Sequence, residues 1–92
     1  MDTFIYEPIG VCSKLIQVKI QDGVIYDVAF TGGCNGNLKG ISSLCRMEKV
    51  DDVIKKLQGI PCGMKSTSCP DQLAQCLIQY NLEKQSKKEN VL

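Results

Sequence analysis

The chain contains no histidine and no tryptophan, and its aromatic side chains are two phenylalanines and three tyrosines. Without histidine, Ser-His-Asp and Cys-His nucleophilic couples, imidazole acid–base catalysis and every His-containing metal site are excluded. An excess of one charge is also missing. Eleven basic residues face ten acidic ones, a net charge of +1, so there is no electrostatic footprint for nucleic acid or an anionic membrane surface. Long apolar runs are absent too. No stretch approaches the roughly 18 apolar residues of a membrane helix, and the opening Met1-Asp2-Thr3-Phe4-Ile5-Tyr6-Glu7-Pro8 lacks the apolar run of a secretory signal. The expectation is a cytoplasmic protein, in a reducing compartment that disfavours structural disulfides. At 92 residues the chain has the length of one domain, residues 1–92. What it does have is cysteine, six in all.

Two alternating segments predict strands. Ser13 to Gln21 places Lys14, Ile16, Val18 and Ile20 on one face, and Val24 to Thr31 places Val24, Tyr26, Val28 and Phe30 on one face. Asp22-Gly23 between them signals a hairpin. Keeping both faces unmixed favours a three-residue loop, Gln21-Asp22-Gly23, which pairs Ile20 with Val24, Val18 with Tyr26 and Ile16 with Val28. Phe4-Ile5-Tyr6, ahead of Pro8, reads as a short third strand on an edge.

After Thr31 the period changes from two to about 3.6. Leu38, Ile41, Leu44 and Cys45 mark one helix. A second, about Val50 to Gln58, buries Val50, Val53, Ile54 and Leu57, with Asp51 and Asp52 in its first turn and Lys55 and Lys56 near its last. Pro70 suits the first position of a third helix, marked by Leu73, Cys76, Leu77 and Tyr80. From about Ser86 the polar sequence is expected to fray. Strands first and helices afterwards imply an α+β fold: a small antiparallel sheet of two or three strands followed by three helices packed on one face.

The cysteines divide by context. Cys45 and Cys76 lie within helical apolar patterns and read as structural, packing as small hydrophobes. Cys12, Cys34, Cys62 and Cys69 lie in loops beside Gly or Pro, next to a regular element. The hairpin brings Cys12 to the same end of the sheet as Cys34, and the returning helices could carry Cys62 and Cys69 there. Four thiolates can hold zinc or an iron–sulfur cluster. The spacing, Cys-x21-Cys-x27-Cys-x6-Cys, contains no CxxC knuckle, and four unliganded thiols in tight loops are the alternative. The segment Gly32-Gly33-Cys34-Asn35-Gly36-Asn37 is a weaker candidate. Backbone N–H groups at Gly33, Asn35 and Gly36 would cradle an anion ahead of a helix, although the segment is neither GxGxxG nor a P-loop. The acidic residues form no acid–base couple, and no catalytic residue is assigned.

Thr67-Ser68-Cys69-Pro70-Asp71 resembles the signature of the TSCPD domain. Gly10-Val11-Cys12-Ser13, Gly32-Gly33-Cys34-Asn35-Gly36-Asn37, Cys62-Gly63 and Gln72-Leu73-Ala74 are similar to small stand-alone members of that family. The domain also occurs at the C-terminus of adenosylcobalamin-dependent ribonucleotide reductases. The resemblance therefore implies a role accessory to ribonucleotide reductase and deoxyribonucleotide synthesis. It does not supply the reductase, whose barrel, cobalamin site and nucleotide sites exceed 92 residues. A fainter resemblance is to U-type iron–sulfur cluster scaffold proteins. Cys12, Gly33-Cys34, Ile41-Ser42-Ser43, Val50-Asp51-Asp52-Val53 and Cys69 follow their order. It implies Cys12, Cys34 and Cys69 as site cysteines, with Cys62 as a fourth ligand. Lys14 and Ser68 stand where those scaffolds carry Asp and His.

Two functions follow as expectations. One is a cysteine-rich module binding zinc or an iron–sulfur cluster through Cys12, Cys34, Cys62 and Cys69, with ribonucleotide reductase or another protein as partner. The other is a ribonucleotide-reductase-related protein acting through redox-active thiols without metal.

Overall fold

Asp22-Gly23 reverses the chain and sets the geometry of everything before Cys34. Both residues take positive φ, 53° and 77°, the conformation of a tight two-residue hairpin turn that Asp-Gly favours. The computed structural model of the chain describes residues 1–11, 13–33, 35–61 and 67–90. Its elements are β1 (Asp2–Tyr6), β2 (Ser13–Gln21), β3 (Val24–Gly32), α1 (Asn35–Cys45), α2 (Val50–Leu57) and α3 (Cys69–Asn90). The strands form one antiparallel sheet in the order β1-β2-β3. The fold is α+β, sheet first and helices afterwards, and the expected edge strand at Phe4-Ile5-Tyr6 is β1.

The hairpin register differs from the three-residue expectation. Gln21 pairs with Val24 and Ile20 with Ile25, so the loop has two residues. Lys19 pairs with Asp27 and Val18 with Val28, which leaves Tyr26 as the extra residue of a bulge. The bulge solves the problem that argued against a two-residue turn. It shifts β3 by one residue, so Ile25 and Val28 both reach the core while Tyr26 stays exposed. Val24 and Tyr26 were expected on the inner face; Ile25 takes that place, fully buried.

A second irregularity sits at the start of β2. Ser13 pairs with Gly32 and Leu15 with Thr31, leaving Lys14 unpaired. Lys14 was expected on the face of Ile16, but it is exposed. Ser13 takes the inward position instead and is buried. A lysine bulged out costs no desolvation, whereas a lysine turned into an apolar core would.

The core lies between the inner face of the sheet and the helices. Ile16, Val18, Ile20 and Ile25 from the sheet meet Leu73, Cys76 and Leu77 from α3, all fully buried. Each such aliphatic side chain contributes roughly 1.5–3 kcal/mol on leaving water. α2 adds Val50 and Val53, with Ile54 and Leu57 packed partly buried against the cluster. α1 adds Leu38 and Cys45. Leu44 was expected on that stripe, but it is 79% exposed, one residue off the line that Leu38 and Cys45 define. At the other edge, Tyr80 stacks edge-on against Phe4 at 5.8 Å and donates its hydroxyl hydrogen to Asp2 at 2.6 Å. These contacts tie β1 to α3. The polar sequence from Ser86 continues as helix to Asn90.

Candidate functional site

The first turn of α3 is a knot of buried polar groups. Ser68 precedes the helix, and its Oγ accepts the Asp71 N–H at 3.1 Å, capping the helix start. The same hydroxyl donates to the Ile60 carbonyl at 2.6 Å. Asp71 turns both carboxylate oxygens to the preceding loop. Oδ1 accepts the Gly59 N–H at 2.7 Å, and Oδ2 accepts the Thr67 hydroxyl at 2.5 Å. Gln72 donates through Nε2 to Thr67 Oγ1 at 2.9 Å and accepts the Ile9 N–H at 3.0 Å. Ser68, Asp71 and Gln72 are all buried, and no buried side-chain nitrogen or oxygen among the described residues lacks a partner.

Burial alone would raise the pKa of Asp71. Hydrogen bonds from Thr67, the Gly59 backbone and Gln75 outweigh it, and the carboxyl stays below its ordinary value. It is therefore a carboxylate at neutral pH, fixed as an acceptor. Its work is structural: it holds the loop after α2 against the start of α3.

Cys69 is the exception inside this knot. It is the first residue of α3, one position earlier than the expected start at Pro70, and is partly exposed with a free thiol. Its described side-chain partner is Ser13, whose Oγ lies 3.5 Å from Sγ. That contact exists because Lys14 bulges out and turns Ser13 inward. The two structural cysteines behave differently. Burial, with a smaller push from Glu48, raises the Cys45 pKa, and burial pushes the Cys76 thiol up to about 12. Both side chains are buried in the core, where a raised pKa leaves little reactive thiolate.

Cys12, Cys34 and Cys62 lie outside the described residues, but on at least one side of each the adjoining chain is described. Ser13, next to Cys12, touches Cys69. Gly33, next to Cys34, has φ of +84°, and a Cβ there would stand 3.3 Å from Ser13 N and 2.9 Å from Leu38 Cδ1. Ile60, two residues before Cys62, is bonded to Ser68. On the other side of the turn, Gly10 packs close to Thr67 Cγ2. The flanks of Cys12 and Cys62 thus meet residues 67–72, and Gly33, beside Cys34, packs against Ser13. Among the described residues, no three Cys, Asp or Glu side chains group as a metal site.

The anion-cradle expectation falls on the same loop. Gly33 is required by its close approach to Ser13 and Leu38, a protein contact, while Gly36 faces open space. Asn35 is the first residue of α1.

The family model of the TSCPD domain matches residues 4–81. The chain belongs to the TSCPD domain family. No match was found among curated proteins or among solved structures. The match runs from β1 to the Tyr80 turn of α3 and includes every residue of the knot. Of the five motif residues, Thr67, Ser68 and Asp71 build the turn, Pro70 fixes its backbone, and Cys69 is the one they leave with a free functional group.

Sequence reasoning assigned no role to Ser13, Asp71 or Gln72. A signal was present for Asp71: Ser68-Cys69-Pro70-Asp71 has the Ser-x-x-acid spacing of a helix N-terminus. The carboxylate departs from a capping box by reaching Gly59 and Thr67, across the loop. Nothing in the local sequence announced the bulge that delivers Ser13.

Proposed function

We propose that the chain is a cysteine-site module in which Cys12, Cys34, Cys62 and Cys69 hold zinc or an iron–sulfur cluster, in a role accessory to ribonucleotide reductase. The observation that carries this reading is that flanks of Cys12 and Cys62 meet the turn that presents Cys69, while Gly33, beside Cys34, packs on Ser13, which touches Cys69. Four cysteine sulfurs form a soft, tetrahedral donor set suited to either centre. When bound, zinc would supply a structural cross-link and a cluster one-electron chemistry.

The chain's own groups would lower the cost of gathering negative charge there. The Ser13 hydroxyl can donate toward the Cys69 sulfur. The start of α3 carries partial positive charge, worth roughly 0.3–1 kcal/mol to a nearby anion. A metal, which deprotonates a coordinated thiol outright, would dominate the balance. The exposed Lys14, two residues after Cys12 in the chain, adds a cation without burying one.

Metal and sulfide content of protein purified without oxygen tests this reading. Wild type should carry metal, Cys76→Ala should match it, and Cys69→Ser should lose most of it. Equal metal content in wild type and Cys69→Ser would remove Cys69 from the site. Metal-free wild type that forms a disulfide between two loop cysteines on mild oxidation would replace the metal reading with a dithiol one. In either case the chain alone should yield no deoxyribonucleotide from a nucleoside diphosphate and reductant.

A further inference from the structure

β3 is the last strand in the order β1-β2-β3, so among the described residues no strand lies along its outer edge. Among the described residues, backbone hydrogen bonds cover that edge at its start. Ile25 N–H donates to the Glu48 carbonyl at 2.9 Å, and Met47 N–H donates to the Ile25 carbonyl at 2.7 Å. Farther along, an open groove of about 690 Å³ separates the strand from α1. One wall is β3 at Val28, Phe30 and Gly32; the other carries Lys39, Ser42, Ser43 and Arg46. α1 is anchored at both ends, by Met47 and Glu48 on Ile25 and by Leu38 against Gly33. Between those anchors the groove stands between the helix and the strand.

The groove is one-sided in charge. Lys39 and Arg46 are its charged lining residues, and no acid occurs anywhere in α1. Arg46 meets Asp27 at 3.4 Å, but both side chains are about half exposed, and such a pair is readily exchanged for another carboxylate. The two cations are seven residues apart on a helical path, about 10 Å, too far to clasp one phosphate. The walls are long instead. Five strand residues extend about 17 Å, and the 11 residues of α1 about 16 Å.

We propose that this groove takes an extended acidic segment of a partner protein by strand addition to β3. The strand's outward N–H and C=O groups supply the backbone hydrogen bonds, and Lys39 and Arg46 receive two carboxylates, with Ser42 and Ser43 between them. A second copy of this chain fits poorly, because edge-to-edge pairing would bring two sets of these cations together. At its Gly33 end the groove abuts Ser13, which touches Cys69. A bound segment therefore runs toward the cysteine site. That last step rests on the proposed function; the docking does not.

A display library of random octapeptides, selected on the immobilised full chain, is the test. Enriched sequences should carry at least two Asp or Glu within an alternating β-branched pattern. A synthetic enriched peptide should shift and protect the amides of Val28, Phe30 and Gly32. Its binding should fall at least tenfold in the double variant K39E with R46E, whose fold is checked by circular dichroism. Cys69→Ser should bind it as wild type does, so metal-site failure and docking failure read out separately. The proposal is overturned by no enrichment, by peptides indifferent to the charge reversal, or by protection elsewhere. Inorganic phosphate alone shifting the same amides, or concentration-dependent self-association through β3, would also overturn it.

Discussion

Cys69 and Cys76 stand seven residues apart on one helix, about two turns, in opposite surroundings. Cys76 is fully buried among aliphatic side chains, its thiol pushed up to about 12. Cys69 sits at the helix start, partly exposed, against a serine hydroxyl and within a turn held by polar bonds. The difference is not in the residue or in the helix. It comes from what stabilises each region. The middle of α3 is held by burial, which is non-directional and leaves a thiol nothing to do but fill space. The first turn is held by directed hydrogen bonds from Thr67, Ser68, Asp71 and Gln72, which fix a geometry and leave one side chain free.

The widest gap between the regions should appear in alkylation. With a pKa of about 12, Cys76 is a thiolate to about one part in ten thousand at pH 8, and burial excludes the reagent as well. In metal-free native protein, peptide mapping should find Cys69 modified, and Cys76 and Cys45 untouched until unfolding. Labelling of Cys76 as fast as Cys69 would erase the distinction.

Stability should separate the regions next. Leu77→Ala empties a fully buried position and should cost about 3 kcal/mol by denaturant unfolding. It should lower the midpoint without abolishing the thiol contrast. Asp71→Ala strands the Gly59 N–H and the Thr67 hydroxyl and should cost about 2 kcal/mol. It should also loosen the loop after α2, seen as faster amide exchange at Gly59.

The acid limb of the stability curve sharpens the same point. Asp71 has a folded pKa below its unfolded value. Its contribution is therefore complete above the unfolded value of about 3.9 and is lost as pH falls through the folded one. Asp71→Asn should be less stable than wild type at neutral pH, and the two should converge under acid. A constant difference down to pH 2 would contradict the carboxylate's role. The smallest of these effects belongs to Cys76→Ala, about 1–2 kcal/mol from lost packing alone.

Much of this contrast was legible in the residues. Cys76 between Leu73, Leu77 and Tyr80 on a helical stripe reads as core, and Cys69 before Pro70 reads as a helix start. Leu44 was misread because a 3.6-residue stripe of apolar residues says which face is apolar, not how much of it finds a partner. The hairpin was misread for a related reason. Perfect alternation in both strands argued for a loop that keeps faces together, and a bulge at Tyr26 achieved the same end with the shorter turn that Asp22-Gly23 prefers. The turn at residues 67–72 was the hardest to read. Asp71 and Gln72 look like solvated first-turn residues, and only the packing of the Ile9–Gly10 segment and the Gly59–Ile60 loop makes them a buried hub.

The sequence by itself determined the order of strands and helices, the place of the hairpin turn at Asp22-Gly23, the burial of Cys45 and Cys76 and the family. These follow from periodicity, from backbone preferences at Gly and Pro, and from a local motif, all of which act over a few residues. The tertiary structure decided the bulges at Lys14 and Tyr26, the inward turn of Ser13 and the closure of residues 67–72 around Asp71. Those choices balance burial in the core against strand pairing and against side-chain contacts between residues as far apart as Ser13 and Cys69. Such a balance depends on which groups meet in space, and no window along the chain contains both partners.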